Sequence, residues 1–120
     1  MNIFAFEPVS DLLQAIGPAA RLQILLVIGQ GEACVGHLEE VLGWRQAYLS
    51  QHLMALRKAG VVVTTRQGRN IHYRLSDPRL LDLIHQAAEL QCVRLPDLPS
   101  ASDCSCSDCG ENPDDRDHVG

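Results

Sequence analysis

Leu49, Leu53 and Leu56 fall at i, i+4 and i+7, the spacing that lines three side chains along one face of a helix. The stretch around them, Trp44 to Gly60 (WRQAYLSQHLMALRKAG), reads as a single helix. Gly60 stands where that helix would end, and Arg57 and Lys58 fill the last turn, where cations oppose the helix dipole. The opposite face carries Arg45, Gln46, Tyr48, Ser50 and Gln51, all hydrogen-bond donors and none a carboxylate. A helix buried on one side and rich in donors on the other suits a DNA groove.

The pattern before this helix predicts three others. Glu7 to Ile16 has Leu12, Leu13 and Ile16 as its apolar positions and is broken by Gly17-Pro18. Pro18 suits the first turn of the next helix, Ala19 to Ile28. That helix is apolar on nearly all sides, so it is expected at the centre of the core. Glu32 to Val35 reads as a brief extended link, and Gly36 to Leu42 as a third helix. Two short helices around the Gly43 turn make a helix-turn-helix signature.

After Gly60 the period changes. Val61 to Arg66 is β-branched, Gln67-Gly68-Arg69-Asn70 reads as a turn, and Ile71, Tyr73 and Leu75 alternate with His72 and Arg74. This is a β-hairpin with Arg66 and Arg69 near its tip, a wing able to reach the DNA backbone or minor groove. Ser76-Asp77-Pro78 caps a last helix, Pro78 to about Val93. That helix is broadly apolar. Together with the first it is expected to form a dimer interface, with simple intramolecular burial as the alternative. From Pro96 to Gly120 Pro, Ser, Asp, Gly and Asn dominate, and the segment is read as a flexible tail. Residues 1–95 then form one mainly α, winged helix-turn-helix domain, and residues 96–120 an acidic, cysteine-containing extension.

Charge sharpens this picture. Taken alone, the net charge of −5 argues against nucleic acid. Yet the tail holds seven acids against Arg116, or −6, which leaves about +1 for the domain. From Val41 to Ser76 there is no Asp or Glu, whereas Arg45, Arg57, Lys58, Arg66, Arg69 and Arg74 lie in that span. Such a segment supplies a basic face for phosphate. No nucleophile, base and pocket constellation is present, so an enzyme is not expected. No apolar run reaches the roughly eighteen residues of a membrane span, and the N-terminus has no basic region of the kind that opens a signal peptide. A cytoplasmic location and no membrane partner are expected.

RLQILLVIGQGEACVGHLEEVLG, RQAYLSQHLMALRKAGVV and RQGRNIHYRLSDP, in that order, resemble the ArsR/SmtB winged-helix repressors, which respond to metals or redox agents. The resemblance covers about Leu12 to Leu90. It implies a homodimer that sits on an operator in double-stranded DNA and is released by an inducer. It places Gln46, Tyr48, Ser50, Gln51 and His52 on the recognition helix, and Arg66, Arg69 and Asn70 in the wing. His52 also lies near the Leu49–Leu53 face, so a core or backbone-bonding role stands beside the DNA role.

The inducer site is where the sequence departs from that family. Cys34 matches the first thiol of a Cys-Val-Cys site, but Gly36 replaces the second. On the last helix Asp82 and His85 match a carboxylate–histidine site only in part. The tail has instead Cys104, Cys106 and Cys109 in a C-x-C-x-x-C pattern. Three thiolates suit trivalent arsenic or antimony. Cd²⁺, Pb²⁺ and Zn²⁺ are also thiophilic, and Zn²⁺ takes four ligands, the fourth available from Cys92. As(III) or Sb(III) release through the tail is therefore the leading expectation, with Cys34 a weaker addition. Alternatives are a redox- or persulfide-sensing repressor using Cys92 or Cys34, and more distantly a small metal-handling or thiol-exchange protein.

Overall fold

The computed structural model describes residues 3–98. A 3-10 turn (Ile3–Ala5) leads into helix α1 (Phe6–Ile16), and Gly17-Pro18 turns the chain through 86° into helix α2 (Ala19–Ile28). Pro18 is the residue just outside α2, and its carbonyl accepts from the backbone N–H of Arg21 at 2.9 Å. Ile24, Leu25, Val27 and Ile28 of α2 are each 0% exposed, as its nearly uniform apolar sequence requires. Each such side chain contributes about 1.5–3 kcal/mol of transfer free energy, so this helix anchors the core.

Ala33–Cys34 forms a short strand, β1, ahead of helix α3 (Val35–Leu42). Gly43 ends α3 in the left-handed region (φ 71°), and its N–H reaches the Glu39 carbonyl at 2.8 Å. Helix α4 (Gln46–Lys58) follows. It starts two residues later than Trp44, because Arg45 is extended (φ −67°, ψ 145°) and carries the chain out of the turn. At the other end Gly60 (φ 77°) donates to Arg57 O and Val61 N–H donates to Leu56 O, both at 3.0 Å. These two bonds satisfy the last carbonyls of α4 in a Schellman arrangement.

Strands β2 (Val62–Gln67) and β3 (Asn70–Leu75) form the hairpin, and β1 pairs with the far side of β3. The antiparallel order is β1-β3-β2, with Thr64 opposite Tyr73 and Cys34 opposite His72. The four-residue turn expected from the sequence is tighter here: Gln67 and Asn70 are the last paired rung, and Gly68 and Arg69 alone make the bend. The expected alternation of β3 also fails. His72 is buried (7% exposed), whereas Ile71 is exposed at 39%. The cause is β1, which covers that edge of β3. Glu32, just before it, brings Oε1 to 3.6 Å from His72 Nδ1.

Asp77 Oδ1 accepts from the backbone N–H of Arg79 at 2.9 Å and so caps helix α5 (Arg79–Leu90). The helix ends in a second Schellman arrangement: Cys92 N–H meets Glu89 O and Val93 N–H meets Ala88 O, each at 3.1 Å. Here the left-handed residue is not glycine but Cys92 (φ 56°). Leu95 and Leu98 then pack against the core, so contact with the domain continues past residue 95.

Candidate nucleic-acid interface

Helices α3 and α4, joined by the left-handed Gly43, form the helix-turn-helix. Leu49, Leu53 and Leu56 are buried to 1% exposure or less and fix α4 against the core. Gln46, Tyr48, Gln51, Met54, Arg57 and Lys58 are exposed on its other side, and Arg45 is exposed at its start. Ser50 and His52 are half-buried at the margin between the two faces. Met54 is a surface residue that the donor pattern missed; its spacing of three from Gln51 places it on the same face.

His52 is held within the protein. Arg21 Nε donates to its Nδ1 at 3.1 Å, and the Tyr48 ring meets it edge-on with centroids 4.7 Å apart. Burial, with the Arg21 charge beside it, holds its pKa below the ordinary histidine value. Neutral His52 is thus the acceptor for Arg21.

In the wing, Arg66, Gln67 and Arg69 are exposed and Asn70 is half-buried. Arg66 Nε donates to Gly68 O at 3.3 Å, which ties its side chain over the bend. Gln67 Nε2 donates to Glu32 Oε1 at 3.2 Å, the same oxygen that faces His72, so one carboxylate fastens the outer part of the wing to the approach of β1. The exposed cations of the Val41–Ser76 segment therefore stand on α4, at its start, and on the hairpin.

The thiols divide differently. Cys34 is 3% exposed and its Sγ accepts from the His37 backbone N–H at 3.4 Å, capping α3. Cys92 is exposed at the end of α5. Among the described residues no three Cys, His, Asp or Glu side chains converge as a metal site, so Cys34 is not brought to further ligands there. Among the described residues, burial and the capping bond give it a structural place. Cys104, Cys106 and Cys109 lie outside the described residues. Asp82 and His85 are exposed on α5.

Helices α1 and α5 present apolar side chains outward. Phe6, Val9 and Leu13 are 54%, 53% and 49% exposed, and Leu90 and Val93 are 82% and 56% exposed. An open cleft of about 370 Å³ where α1, the end of α4 and the start of α5 meet is lined by Leu12, Val61, Leu80 and Leu83, with Ser76 and Asp77. Among the described residues no single helix is long and apolar enough to cross a membrane.

Residues 19–64 match the model of a family described as bacterial regulatory protein, arsR family. The chain is 40% identical over 85 residues to the biofilm growth-associated repressor of Agrobacterium fabrum, covering 71% of this chain and 73% of that one. It resembles the solved structure of HlyU from Vibrio cholerae, with a TM-score of 0.66 and 34% identity over 77% of this chain and 99% of that chain. The same protein solved as reduced HlyU gives 0.62 and 35% over 71% and 90%. A homodimeric winged helix-turn-helix DNA-binding domain from Mycobacterium bovis gives a TM-score of 0.66 at 28% identity, over 73% and 84% of the two chains. With this fold, this basic helix and wing, and these relatives, the chain belongs to the arsR family of bacterial regulatory proteins.

Proposed function

We propose that this protein is a homodimeric transcriptional repressor that holds operator DNA through α4 and the wing and leaves it when a thiophilic metal(loid) binds. One observation carries the DNA part: a helix anchored by three buried leucines stands with a cationic hairpin in a segment free of carboxylates. Gln46 and Gln51 suit base edges, and Arg45, Tyr48 and Ser50 suit bases or phosphates. His52 takes part from the margin. Arg57, Arg66, Arg69 and Asn70 add contacts to the duplex backbone. The exposed apolar residues of α1 and the end of α5 support self-association. A two-fold dimer sets its reading helices about 34 Å apart, one DNA turn. A cytoplasmic location goes with this reading.

The inducer is read as As(III) or Sb(III), with Cd²⁺, Pb²⁺ or Zn²⁺ as the other thiophilic ions. Cys104, Cys106 and Cys109 supply three thiolates, and the exposed Cys92 is the fourth donor, joining the tail to α5. Binding there shifts the dimer between DNA-competent and incompetent forms. The test is operator release by arsenite from the full chain and from a chain ending at Pro99. Unchanged release from the shortened chain would sink the tail as receiver. A second reading, redox sensing through Cys92, is favoured by the exposure of that thiol at a left-handed position. A thiol count before and after release by arsenite and by peroxide separates the two. A chain with no preference for any selected duplex over random DNA at physiological salt would instead favour a metal-handling or thiol-exchange protein.

A further inference from the structure

Arg21 lies on α2, outside the carboxylate-free segment and half-buried. Its Nε donates to His52 Nδ1 at 3.1 Å, and its Nη1 donates to the Ala15 carbonyl at 3.0 Å. That carbonyl belongs to the last turn of α1, where no helical N–H is left to meet it. One guanidinium therefore ties the end of α1 to α4. The connection runs on along α4: His52 meets Tyr48 edge-on at 4.7 Å, and Tyr48 meets Trp44 edge-on at 5.3 Å. Tyr48 is 47% exposed on the reading face.

We propose that Arg21 is a positioning residue for operator recognition, fixing the ring of His52 and, through it, the ring of Tyr48. The chemistry is directional. With Nδ1 committed as acceptor, the neutral imidazole carries its proton on Nε2, so tautomer and ring angle are set together. The edge-on contact then restricts the Tyr48 ring. Among the described residues Arg21 from α2 is the hydrogen-bond partner of His52 and Tyr48 from α4 itself is its ring partner. Arg21 needs no contact with DNA for this. Because it also holds α1, an element of the proposed dimer surface, a movement there reaches the reading face through this side chain. The inference rests on the assignment of α4 as the DNA-reading helix.

The test uses the full chain, a duplex that it selects from a random library, and an unselected duplex of equal length. Binding is followed by fluorescence anisotropy across a salt series. Arg21→Met keeps the unbranched stem of the side chain and removes both hydrogen bonds. It should weaken the selected duplex about fivefold to tenfold, less than the full weight of one charge-assisted hydrogen bond because Arg21 acts on the reading face only through His52 and Tyr48. The unselected duplex should stay within about twofold and the salt slope should not change, because no phosphate contact is lost. His52→Ala should give a similar loss, and the double variant no more than the larger single one, because the two act in series. The NMR titration of His52 should also move toward higher pH in Arg21→Met. His52→Ala, on a half-exposed position, carries the test should Arg21→Met fail to fold. Selected-duplex affinity within about twofold of the parent in the folded variants, equal losses on both duplexes, or additive losses would each overturn the proposal. A parent chain that selects no duplex overturns the DNA-reading assignment and this inference with it.

Discussion

Two helices end in the same hydrogen-bonding arrangement with different residues at the left-handed position, Gly60 after α4 and Cys92 after α5. Exchanging the residue types gives a pair of opposite predictions. A left-handed conformation costs an L-residue about 1–2 kcal/mol, and glycine returns about 0.4–1 kcal/mol of that through its freer unfolded chain. A Cβ at Gly60 would meet nothing within 4 Å, so no clash adds to the cost. Cys92 is exposed, so removing its side chain sacrifices little burial. Cys92→Gly should therefore stabilise the protein by about 0.5–1 kcal/mol, and Gly60→Ala should destabilise it by about 1 kcal/mol. In a domain of this size the Cys92→Gly gain raises the melting temperature by about 2–5 °C. Urea unfolding at one fixed protein concentration, with slope compared between variants, is the assay. Cys92→Ser, which keeps the side-chain size, should stay within about 0.5 kcal/mol of the parent. A lower midpoint for Cys92→Gly would refute the account of this turn as strained. If the gain is found, the thiol is held at that position against stability, which is the pattern expected of a residue retained for its chemistry.

Other outcomes follow from the same geometry. Arg66→Ala with Arg69→Ala should weaken selected and random duplexes alike and reduce the slope of log affinity against log salt by about two; a preserved slope would remove the wing from the phosphates. Val9→Asp or Leu90→Asp places a charge on the exposed apolar face of α1 or α5 and should shift sedimentation from dimer to monomer, whereas an unchanged mass would place the interface elsewhere. Asp77 hydrogen-bonds the side chain and backbone of Arg79, and this lowers its pKa from 3.8 to about 2. The folded value lies below the unfolded one, so its stabilising effect is complete above the unfolded pKa and is lost as pH falls toward about 2. Asp77→Asn should accordingly melt below the parent near neutral pH, with the gap closing in acid; a gap that persists at low pH would refute the pairing. Leu25→Ala empties a fully buried site and should cost about 2–5 kcal/mol in the same urea assay.

The parts legible in the sequence were those with a local pattern. The core face of α4 follows from spacing, since Leu49, Leu53 and Leu56 can share a face in no other common element; the burial of α2 follows from its nearly uniform apolar sequence, and the two arms of the wing from a β-branched run and an alternating run on either side of a turn. Glu32 to Val35 was legible as extended, but not the pairing of Ala33–Cys34 into the sheet. Two residues carry no period, and what makes them a strand is Tyr73 and His72, nearly forty positions later. The same long-range pairing buried His72 against the expectation from alternation. The role of Arg21 is not legible in the sequence, because an arginine on an apolar helix looks like a surface residue until its partners, the Ala15 carbonyl and His52, are in place. The donor face of α4 was readable, and so was an inward role for His52 beside the Leu49–Leu53 face, but not that Arg21 would be its partner.

Among the described residues the sheet order leaves the outer long edge of β2 without a strand partner. It lies on the outside of β3, and Thr65, Arg66 and Gln67 are exposed along its outer half. Unpaired strand edges invite a second copy to add its own strand, and a repressor crowded onto one operator keeps its copies close together. A cation near the end of each edge makes such pairing repulsive. On the proposed reading Arg66 then has two uses that share one cause: a charge suited to phosphate would also keep neighbouring wings from zipping together. Neutralising it would be felt off the DNA as well, as slow aggregation at high protein concentration, and bound duplex should suppress that aggregation.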